Sequence, residues 1–459
     1  MKPFTLKEAA AACGGKLVNC NEDAGELFIG NITIDSRKTG GGYLYIPIKG
    51  ERFDGHDFIR SAFEKGAVCS LSEKEDFDAP EKCPVILVKS TRTAIRDIAE
   101  YYRSLFKNLT VIGVSGSSGK TSTKEMICSV LSEHFSVLKT EGNLNNEIGV
   151  PQTLFRIEED HDIAVVEMGI NHFGEMTRLA KMVRPDIAVI TNIGTAHLEF
   201  LESRDGILKA KTEMLQFLNK DGVAVLNGDD DKLSTVKSVK TLFFGLNSQC
   251  YCHADKIKQR GIEGTEFDII YDSNSIKAFV PALGNHMVMN ALCAFTIGKY
   301  LNMPVKEMIK GINSFKTIDG RFNVIKTPSL TLINDCYNAN PDSTGASLRV
   351  VSNLKGRRAA VLADMRELGE NSHELHEKTG FLAASSCDIL VCIGDEAKYI
   401  MEGAKKAKPH FEAFYFETNK DAVEKLSGIL KKDDTVLIKG SHSMNLSEIT
   451  EYLKTLELN

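Results

Sequence analysis

The residues from Val111 to Met126, VIGVSGSSGKTSTKEM, combine the residue types that bind the phosphates of a nucleotide. The backbone N–H groups of a glycine-rich turn and the N-terminus of the helix after it attract an anion. Lys120 can reach the β- and γ-phosphates, and the Thr121 hydroxyl can bind Mg²⁺. The motif is unusual, because Val114 stands where a glycine normally precedes GK[ST] by five positions. The apolar strand before the turn and the helical pattern after it nevertheless favour a nucleotide site.

Two later strand ends carry residue types that bind metal ions. AVVEMG places Glu167 at the end of an apolar run, and His197 follows the next run in VITNIGTAHLE. Each residue alone is more often structural, but a carboxylate and an imidazole beside a phosphate loop favour metal ligands. Lys209 and Lys211 follow on a helix, where charge spacing alone indicates only a solvated face.

The composition limits the classes of protein to which the chain can belong. Its 459 residues predict two to four domains at roughly 100–200 residues each. The 56 Lys and Arg against 62 Asp and Glu give a net charge of −6, which argues against a nucleic-acid partner. No apolar run is long enough to span a membrane, and the N-terminus lacks the apolar centre of a secretory signal. The 11 scattered cysteines indicate reduced thiols in a cytoplasmic protein, and the cluster Cys250–Asp255 is a poor zinc site.

Three blocks of strands and helices must position these residues. Residues 1–107 mix short strands with helices, whereas residues 108–316 alternate apolar strands with helices, which predicts a mostly parallel sheet. Residues 317–459 repeat this alternation without a G-x-G-x-x-G motif after the first strand, so no dinucleotide is implied. We therefore predict an α/β protein of three domains: a mixed α/β N-terminal domain, a central P-loop ATPase and a C-terminal Rossmann-like domain.

The motifs occur in the order found in a known family. The segments GVSGSSGKTST, GNLNNEIGVPQTL, VVEMGINHFGEM, TNIGTAHLE, KAKTEM, GNHMVMNAL, DGRF, INDCYNANPDS and ADMRELG together resemble the Mur ligases of peptidoglycan synthesis. The family's loop is similar to G-x-x-G-x-x-G-K-[ST], which accounts for the regular spacing of Gly113, Gly116 and Gly119. YNANPDS and NNEIGVP resemble the branch of the family that adds D-alanyl-D-alanine.

The resemblance implies ATP-dependent ligation of D-alanyl-D-alanine to UDP-N-acetylmuramoyl-tripeptide through an acyl phosphate. It also implies ATP and two Mg²⁺ ions as cofactors, and we expect a cytoplasmic monomer. A sister Mur ligase and an amide ligase like folylpolyglutamate synthase remain alternatives. A nucleotide-dependent regulatory protein without ligase activity is a further alternative.

The same resemblance implies a role for each matched residue. ATP would be bound by Gly116, Ser117, Ser118, Gly119, Lys120, Thr121, Ser122, His286, Asn290, Arg321, Asp335 and Asn338. Metal ions would be bound by Thr121, Glu167, His197 and Lys211, with Lys211 carbamylated. The catalytic residues would be Lys120, Lys211, His197 and Arg321. The substrate would be bound by Asp35, Ser36 and Arg37 at the uridine nucleotide and by Asn145 and Asn146 at the tripeptide.

Three positions depart from the family pattern. Leu144 stands where an aromatic residue is frequent, and Ala363 stands where glycine is usual. His442 replaces a common arginine, which weakens any prediction of carboxylate contacts in the last loop.

Overall fold

A computed structural model describes residues 1–458. The first block contains a five-stranded sheet in the order β2-β7-β6-β5-β4, in which only the β2–β7 pair is antiparallel, and a separate antiparallel pair β1–β3. Its elements are β1 (Phe4–Thr5), α1 (Leu6–Ala12), β2 (Lys16–Val18), β3 (Phe28–Ile29), β4 (Asn31–Thr33), β5 (Tyr43–Tyr45), α2 (Ile59–Glu64), β6 (Ala67–Ser72), β7 (Val85–Leu87) and α3 (Thr91–Ser104).

The second block is built on a nine-stranded sheet in the order β16-β15-β14-β13-β12-β11-β8-β10-β9. Strands β8 to β14 pair in parallel, and β15 and β16 add an antiparallel edge. Its strands are β8 (Thr110–Ser115), β9 (Val137–Lys139), β10 (Ile163–Glu167), β11 (Ile187–Ile190), β12 (Val223–Asn227), β13 (Thr241–Gly245), β14 (Cys252–Gln259), β15 (Thr265–Tyr271) and β16 (Asn274–Val280). Its helices are α4 (Lys120–Leu131), α5 (Gly149–Leu154), α6 (Glu175–Val183), α7 (Leu198–Leu201), α8 (Arg204–Thr212), α9 (Asn285–Tyr300) and α10 (Val305–Asn313).

The third block contains a six-stranded sheet in the order β17-β18-β22-β19-β20-β21, parallel except for β17. Its strands are β17 (Asn323–Lys326), β18 (Thr331–Asn334), β19 (Arg358–Ala363), β20 (Ile389–Ile393), β21 (Ala413–Phe416) and β22 (Thr435–Lys439). Its helices are α11 (Pro341–Ser352), α12 (Ser372–Ser386), α13 (Ala397–Ala407), α14 (Asn419–Ile429) and α15 (Ser447–Thr455). The predicted α/β class is confirmed, while the domain limits at 107/108 and 316/317 stay a prediction.

The hydrophobic core is continuous between the first two blocks. Helix α3 buries Ile95, Ile98 and Tyr102, and the Tyr102 ring packs edge-on against Phe106 and Phe155 of the chain that follows. Both faces of the third sheet are covered by separate clusters of buried apolar side chains. Parallel strands covered on both faces read as continuous apolar runs, as the sequence predicts. Among residues 1–458, no helix combines the length and apolar character needed to cross a membrane.

Candidate active site

The carboxyl ends of the second and third sheets open onto one cavity of about 680 Å³, which we call the cleft. Ligands of open parallel sheets bind at this end of the strands. Most of the predicted site residues line it: Ser117, Ser118, Gly119, Lys120, Thr121, Ser122, Asn145, Asn146, Glu167, His197, His286, Asn290, Arg321, Asp335 and Asn338.

The phosphate loop is held by the neighbouring strand end. Gly116 has a φ of +148°, and a Cβ at this position would lie 1.9 Å from the Thr191 hydroxyl, so only glycine fits. The Thr191 hydroxyl donates to the Ser118 carbonyl at 2.6 Å, and Asn192 Oδ1 accepts from Ser118 N at 3.0 Å. Lys120 Nζ donates to the Gly116 carbonyl at 2.9 Å. These contacts hold the backbone of the phosphate loop against the end of the neighbouring strand.

Glu167 is the centre of a buried polar cluster at the end of β10. Its Oε1 accepts from Asn145 Nδ2 at 2.8 Å and from the Thr121 hydroxyl at 3.2 Å. Its Oε2 lies 3.9 Å from Lys124 Nζ, which instead donates to the Thr140 carbonyl at 2.7 Å. Lys124 thus supplies positive charge near Glu167 without donating a hydrogen bond to it, and Oε2 remains without a hydrogen-bond partner.

Lys211 is fully buried near the end of α8, so the interpretation of a solvated helix face is wrong for this residue. Its Nζ has no hydrogen-bond partner. Burial, reinforced by the positive charge of Lys120, lowers the pKa of Lys211 well below 10.5. Lys209, two positions earlier, is exposed. Only one of the two lysines therefore has the environment that favours a neutral, reactive amine.

Arg321 reaches the phosphate loop from the third block. Its Nη2 donates to the Thr121 hydroxyl at 3.2 Å, and its guanidinium carbon lies 3.7 Å from the centre of the Tyr337 ring. Burial lowers the pKa of Arg321, and Glu167 opposes that shift. His442 packs its exposed ring 5.3 Å from the Tyr337 ring. His442 thus packs against the tyrosine ring that lies under Arg321.

The carboxyl ends of the neighbouring strands β18 and β22 form part of the cleft wall. Asp335 Oδ2 accepts from Lys439 Nζ at 2.6 Å and from the Ser347 hydroxyl at 2.7 Å. Lys439 also donates to the Asn338 carbonyl at 3.0 Å. The side chain of Asn338 is exposed at the cleft.

His286 and Asn290 lie on the first turns of α9. The Asn290 Oδ1 accepts from the Thr123 hydroxyl at 2.8 Å, which joins α9 to the phosphate-loop helix. Burial lowers the pKa of His286, whose ring lies 5.4 Å from that of Phe322. A neutral imidazole beside an aromatic ring forms an apolar wall that suits a flat base.

The predicted substrate residues occupy two separate places. Asn145 and Asn146 line the cleft, and Asn146 Oδ1 accepts from Gly149 N at 2.8 Å at the start of α5. Asp35, Ser36 and Arg37 lie after β4 and do not line the cleft. There the Arg37 guanidinium donates two hydrogen bonds to the Asp35 carboxylate, which lowers the pKa of Asp35 to about 2.

Comparison with known proteins identifies the family. The descriptions "Mur ligase family, catalytic domain", "Mur ligase middle domain" and "Mur ligase, glutamate ligase domain" match residues 28–103, 114–298 and 320–442. The UDP-N-acetylmuramoyl-tripeptide--D-alanyl-D-alanine ligase of Bacillus subtilis (strain 168) is 38% identical over 456 residues, which cover 98% of each chain. The chain belongs to the Mur ligase family.

Solved structures of Mur ligases share the whole architecture. MurF from Acinetobacter baumannii superposes with a TM-score of 0.90 and 31% identity, and covers 99% of this chain and 100% of its own. The MurF ligase of Thermotoga maritima in complex with ADP has a TM-score of 0.84 and 29% identity, and covers 93% of this chain and 97% of its own. The three-domain fold expected from the motifs is therefore confirmed.

The side chains of this Mur ligase fit the predicted metal ions only with a modified lysine. The Thr121 hydroxyl and the free Oε2 of Glu167 are hard oxygen donors of the kind that Mg²⁺ prefers. The neutral amine that burial favours at Lys211 would offer a nitrogen donor, whereas a carbamate would provide the oxygen donors that Mg²⁺ prefers. Within residues 1–458, no three or more His, Cys, Asp and Glu side chains form a metal-binding group, so the predicted set depends on Thr121 and on modified Lys211.

The motifs assign no role to several residues that shape the site of this Mur ligase, although some of these residues lie within the motifs. Asn192, Lys439, Tyr337 and Glu367 each contact a predicted site residue. Asn192 and Lys439 directly follow or end apolar strands, a position that could have indicated them. Glu367 lies within the segment ADMRELG, but the motif alone does not indicate its partner, which is 170 residues away.

Proposed function

We propose that this Mur ligase uses ATP to join D-alanyl-D-alanine to UDP-N-acetylmuramoyl-tripeptide, acting in the cytoplasm as a monomer. The observation that carries the proposal is the meeting of Arg321 and Thr121, at 3.2 Å, in a cleft bounded by two sheets. This contact puts a guanidinium from one domain beside the phosphate loop of another. The named function of the Bacillus subtilis relative and the ADP in the Thermotoga maritima structure support the same assignment.

The reaction must first activate a carboxylate. An oxygen of the tripeptide carboxylate attacks the γ-phosphorus of ATP, the bond to the β-phosphate oxygen breaks, and ADP and an acyl phosphate form. The amine nitrogen of D-alanyl-D-alanine then attacks the acyl carbon. After loss of the amine proton, the carbon–oxygen bond to phosphate breaks and leaves an amide. Phosphoryl transfer of this kind depends on positioning and charge stabilisation.

The phosphate loop and the two cations beside it bind the triphosphate in this proposal. The backbone N–H groups at the start of α4 orient the phosphates, and Lys120 offsets the charge on the β- and γ-phosphates. Arg321 stabilises the charge that develops on the transferred phosphoryl group. Seating of the third domain on the cleft excludes water, which would otherwise hydrolyse the acyl phosphate.

Thr121, Glu167, His197 and carbamylated Lys211 would hold two Mg²⁺ ions, which when bound neutralise phosphate charge. The lowered pKa of Lys211 supports the carbamate, because only the neutral amine adds CO₂. His286 and Asn290 would contact the adenine. Asp335 and Asn338 would contact the rest of the nucleotide, and Ser117, Ser118 and Ser122 would line its phosphates.

The remaining predicted residues would bind the sugar-nucleotide substrate. Asn145 and Asn146 would contact the tripeptide in the cleft, and Asp35, Ser36 and Arg37 would contact the uridine nucleotide. The tripeptide must then extend from the first block to the phosphate loop, a direction that fits the two places these residues occupy.

Release of ADP in the presence of defined substrates tests the proposal. We expect ADP only when UDP-N-acetylmuramoyl-tripeptide and D-alanyl-D-alanine are both present, with the L-lysine and meso-diaminopimelate tripeptides assayed separately. ADP release with folate and glutamate would instead support an enzyme like folylpolyglutamate synthase. Nucleotide binding without product in every arm would support a regulatory protein.

A further inference from the structure

His197 makes its closest polar contact with another domain. It follows β11 in the second block, and its Nδ1 lies 2.6 Å from Oε2 of Glu367, which follows β19 in the third block. A glutamate side chain is ordinarily ionised at neutral pH, so Glu367 is a hydrogen-bond acceptor in this contact. The imidazole lines the cleft and is mostly buried, whereas the Glu367 side chain is 45% exposed.

An ionised carboxylate decides which ring nitrogen carries the proton. A carboxylate only accepts hydrogen bonds, so Nδ1 of His197 must donate. In a neutral imidazole, Nε2 then keeps its lone pair. Histidines that bind metals commonly donate their other N–H to a carboxylate, which fixes the tautomer and the ring orientation. Glu367 is placed to give His197 this arrangement.

The backbone at both ends of this contact is in a rare conformation. His197 has a φ of +61° and Glu367 a φ of +63°. A non-glycine residue is uncommon in this region and persists there when the surrounding structure imposes it. Both side chains are thus held toward each other by their loops.

A second contact holds the loop of His197 against the third block without involving the imidazole. Asp342 at the start of α11 accepts from Thr195 N at 2.7 Å and from the Thr195 hydroxyl at 2.8 Å. Asp342 therefore holds the loop that carries His197 but does not contact its ring. It provides a matched control for the effect of joining the domains.

We propose that Glu367 is a positioning residue that makes the ligand form of His197 depend on the seating of the third domain. When the domain is seated, the carboxylate holds the proton on Nδ1 and leaves Nε2 free to bind. When the domain moves away, the ring loses this constraint. The consequence for metal binding rests on the proposed function, whereas the tautomer does not.

The tautomer is measured by ¹⁵N NMR of the full chain with labelled histidine side chains, without nucleotide or metal. His197→Gln identifies the signals of His197. We expect the Nδ1–H form in the wild type, its loss in Glu367→Ala, and its retention in Glu367→Gln, whose amide oxygen still accepts. Asp342→Ala should keep the wild-type form. An unchanged tautomer in Glu367→Ala, or an equal loss in Asp342→Ala, would overturn the proposal.

A second measurement follows the consequence for metal binding. Electron paramagnetic resonance of free Mn²⁺, with saturating ADP, reports the affinity of the protein for the ion. We expect about 10–100-fold weaker binding in Glu367→Ala, the range found when the partner of a metal ligand is removed. A smaller effect in Asp342→Ala supports positioning of the ring, and an equal effect refutes it. A correct tautomer result in a protein without ligase activity would reject the proposed function but keep the role of Glu367.

Discussion

Replacing Lys211 with methionine should make the protein more stable and inactive. The Lys211 Nζ is fully buried and has no hydrogen-bond partner, and an unsatisfied buried polar group costs about 1–3 kcal/mol. Methionine is similar in length and carries no such group. We therefore expect Lys211→Met to raise the free energy of unfolding by about 1–3 kcal/mol in bicarbonate-free buffer, measured by urea titration. Lys209→Met, on the same helix but exposed, should leave it within about 0.5 kcal/mol.

The pH dependence of this difference follows from the lowered pKa of Lys211. Between that pKa and 10.5, the unfolded chain binds a proton that the folded chain does not. The free energy of unfolding of the wild type must then rise with pH through this window, by at most about 1.4 kcal/mol per pH unit. The cost of burying the charged form of Lys211 is fully present below the pKa of the folded state and is lost as the pH approaches 10.5. Lys211→Met lacks this slope, so its advantage should shrink as the pH rises.

Ligase activity provides the second half of the test. We expect Lys211→Ala to abolish ligation and short carboxylic acids to restore part of it, because they can place a carboxylate where the carbamate would stand. Lys209→Ala should remain active under the same conditions. The reasoning would be refuted by a Lys211→Met protein that is no more stable than the wild type and has the same pH slope. Wild-type turnover of Lys211→Ala would separately exclude the carbamate.

Three further substitutions test the geometry of the cleft. Gly116→Ala forces a positive φ on alanine and brings its Cβ into collision with a threonine hydroxyl, so the free energy of unfolding, measured by urea titration, should fall by at least about 1–3 kcal/mol. Gly428→Ala is the control, because Gly428 lies in a helix with open space around it. An equal loss in Gly428→Ala would contradict this explanation. Lys124→Met leaves the buried carboxylate of Glu167 without its paired lysine, so it should lower the free energy of unfolding by about 3–5 kcal/mol. An unchanged midpoint in the urea titration would show that the pair is dispensable. Tyr337→Ala removes the aromatic ring that lies under Arg321 and should lower kcat/KM for ATP by about 2–30-fold. Tyr337→Phe retains the ring and should keep the kcat/KM of the wild type. Equal losses in the two variants would instead assign the effect to the hydroxyl.

Local patterns were sufficient to predict the elements around the phosphate loop. The strand before it is β8, and the helix after it begins at Lys120, as the apolar run and the helical spacing indicate. Glu167 is the last residue of its strand, as predicted. Such features depend on residues within one or two turns of each other, so the sequence expresses them directly.

Resemblance to a family supplied roles that spacing could not. Lys211 and Lys209 are equivalent by charge pattern on one helix, and only packing buries the first and exposes the second. The motifs assigned the two substrate regions to different parts of the substrate but did not show where they lie relative to each other, because distance along the chain does not measure distance in space.

The sequence by itself determined the α/β class, the alternation of strands and helices in the second and third blocks, the nucleotide loop and the resemblance to the family, because short-range periodicity and motif spacing express these. Only the tertiary structure decided which distant groups meet. Arg321 contacts Thr121 across 200 residues, and Glu367 contacts His197 across 170. These contacts depend on how two sheets are seated against one cleft, and that arrangement is set by the packing of many side chains rather than by any local pattern.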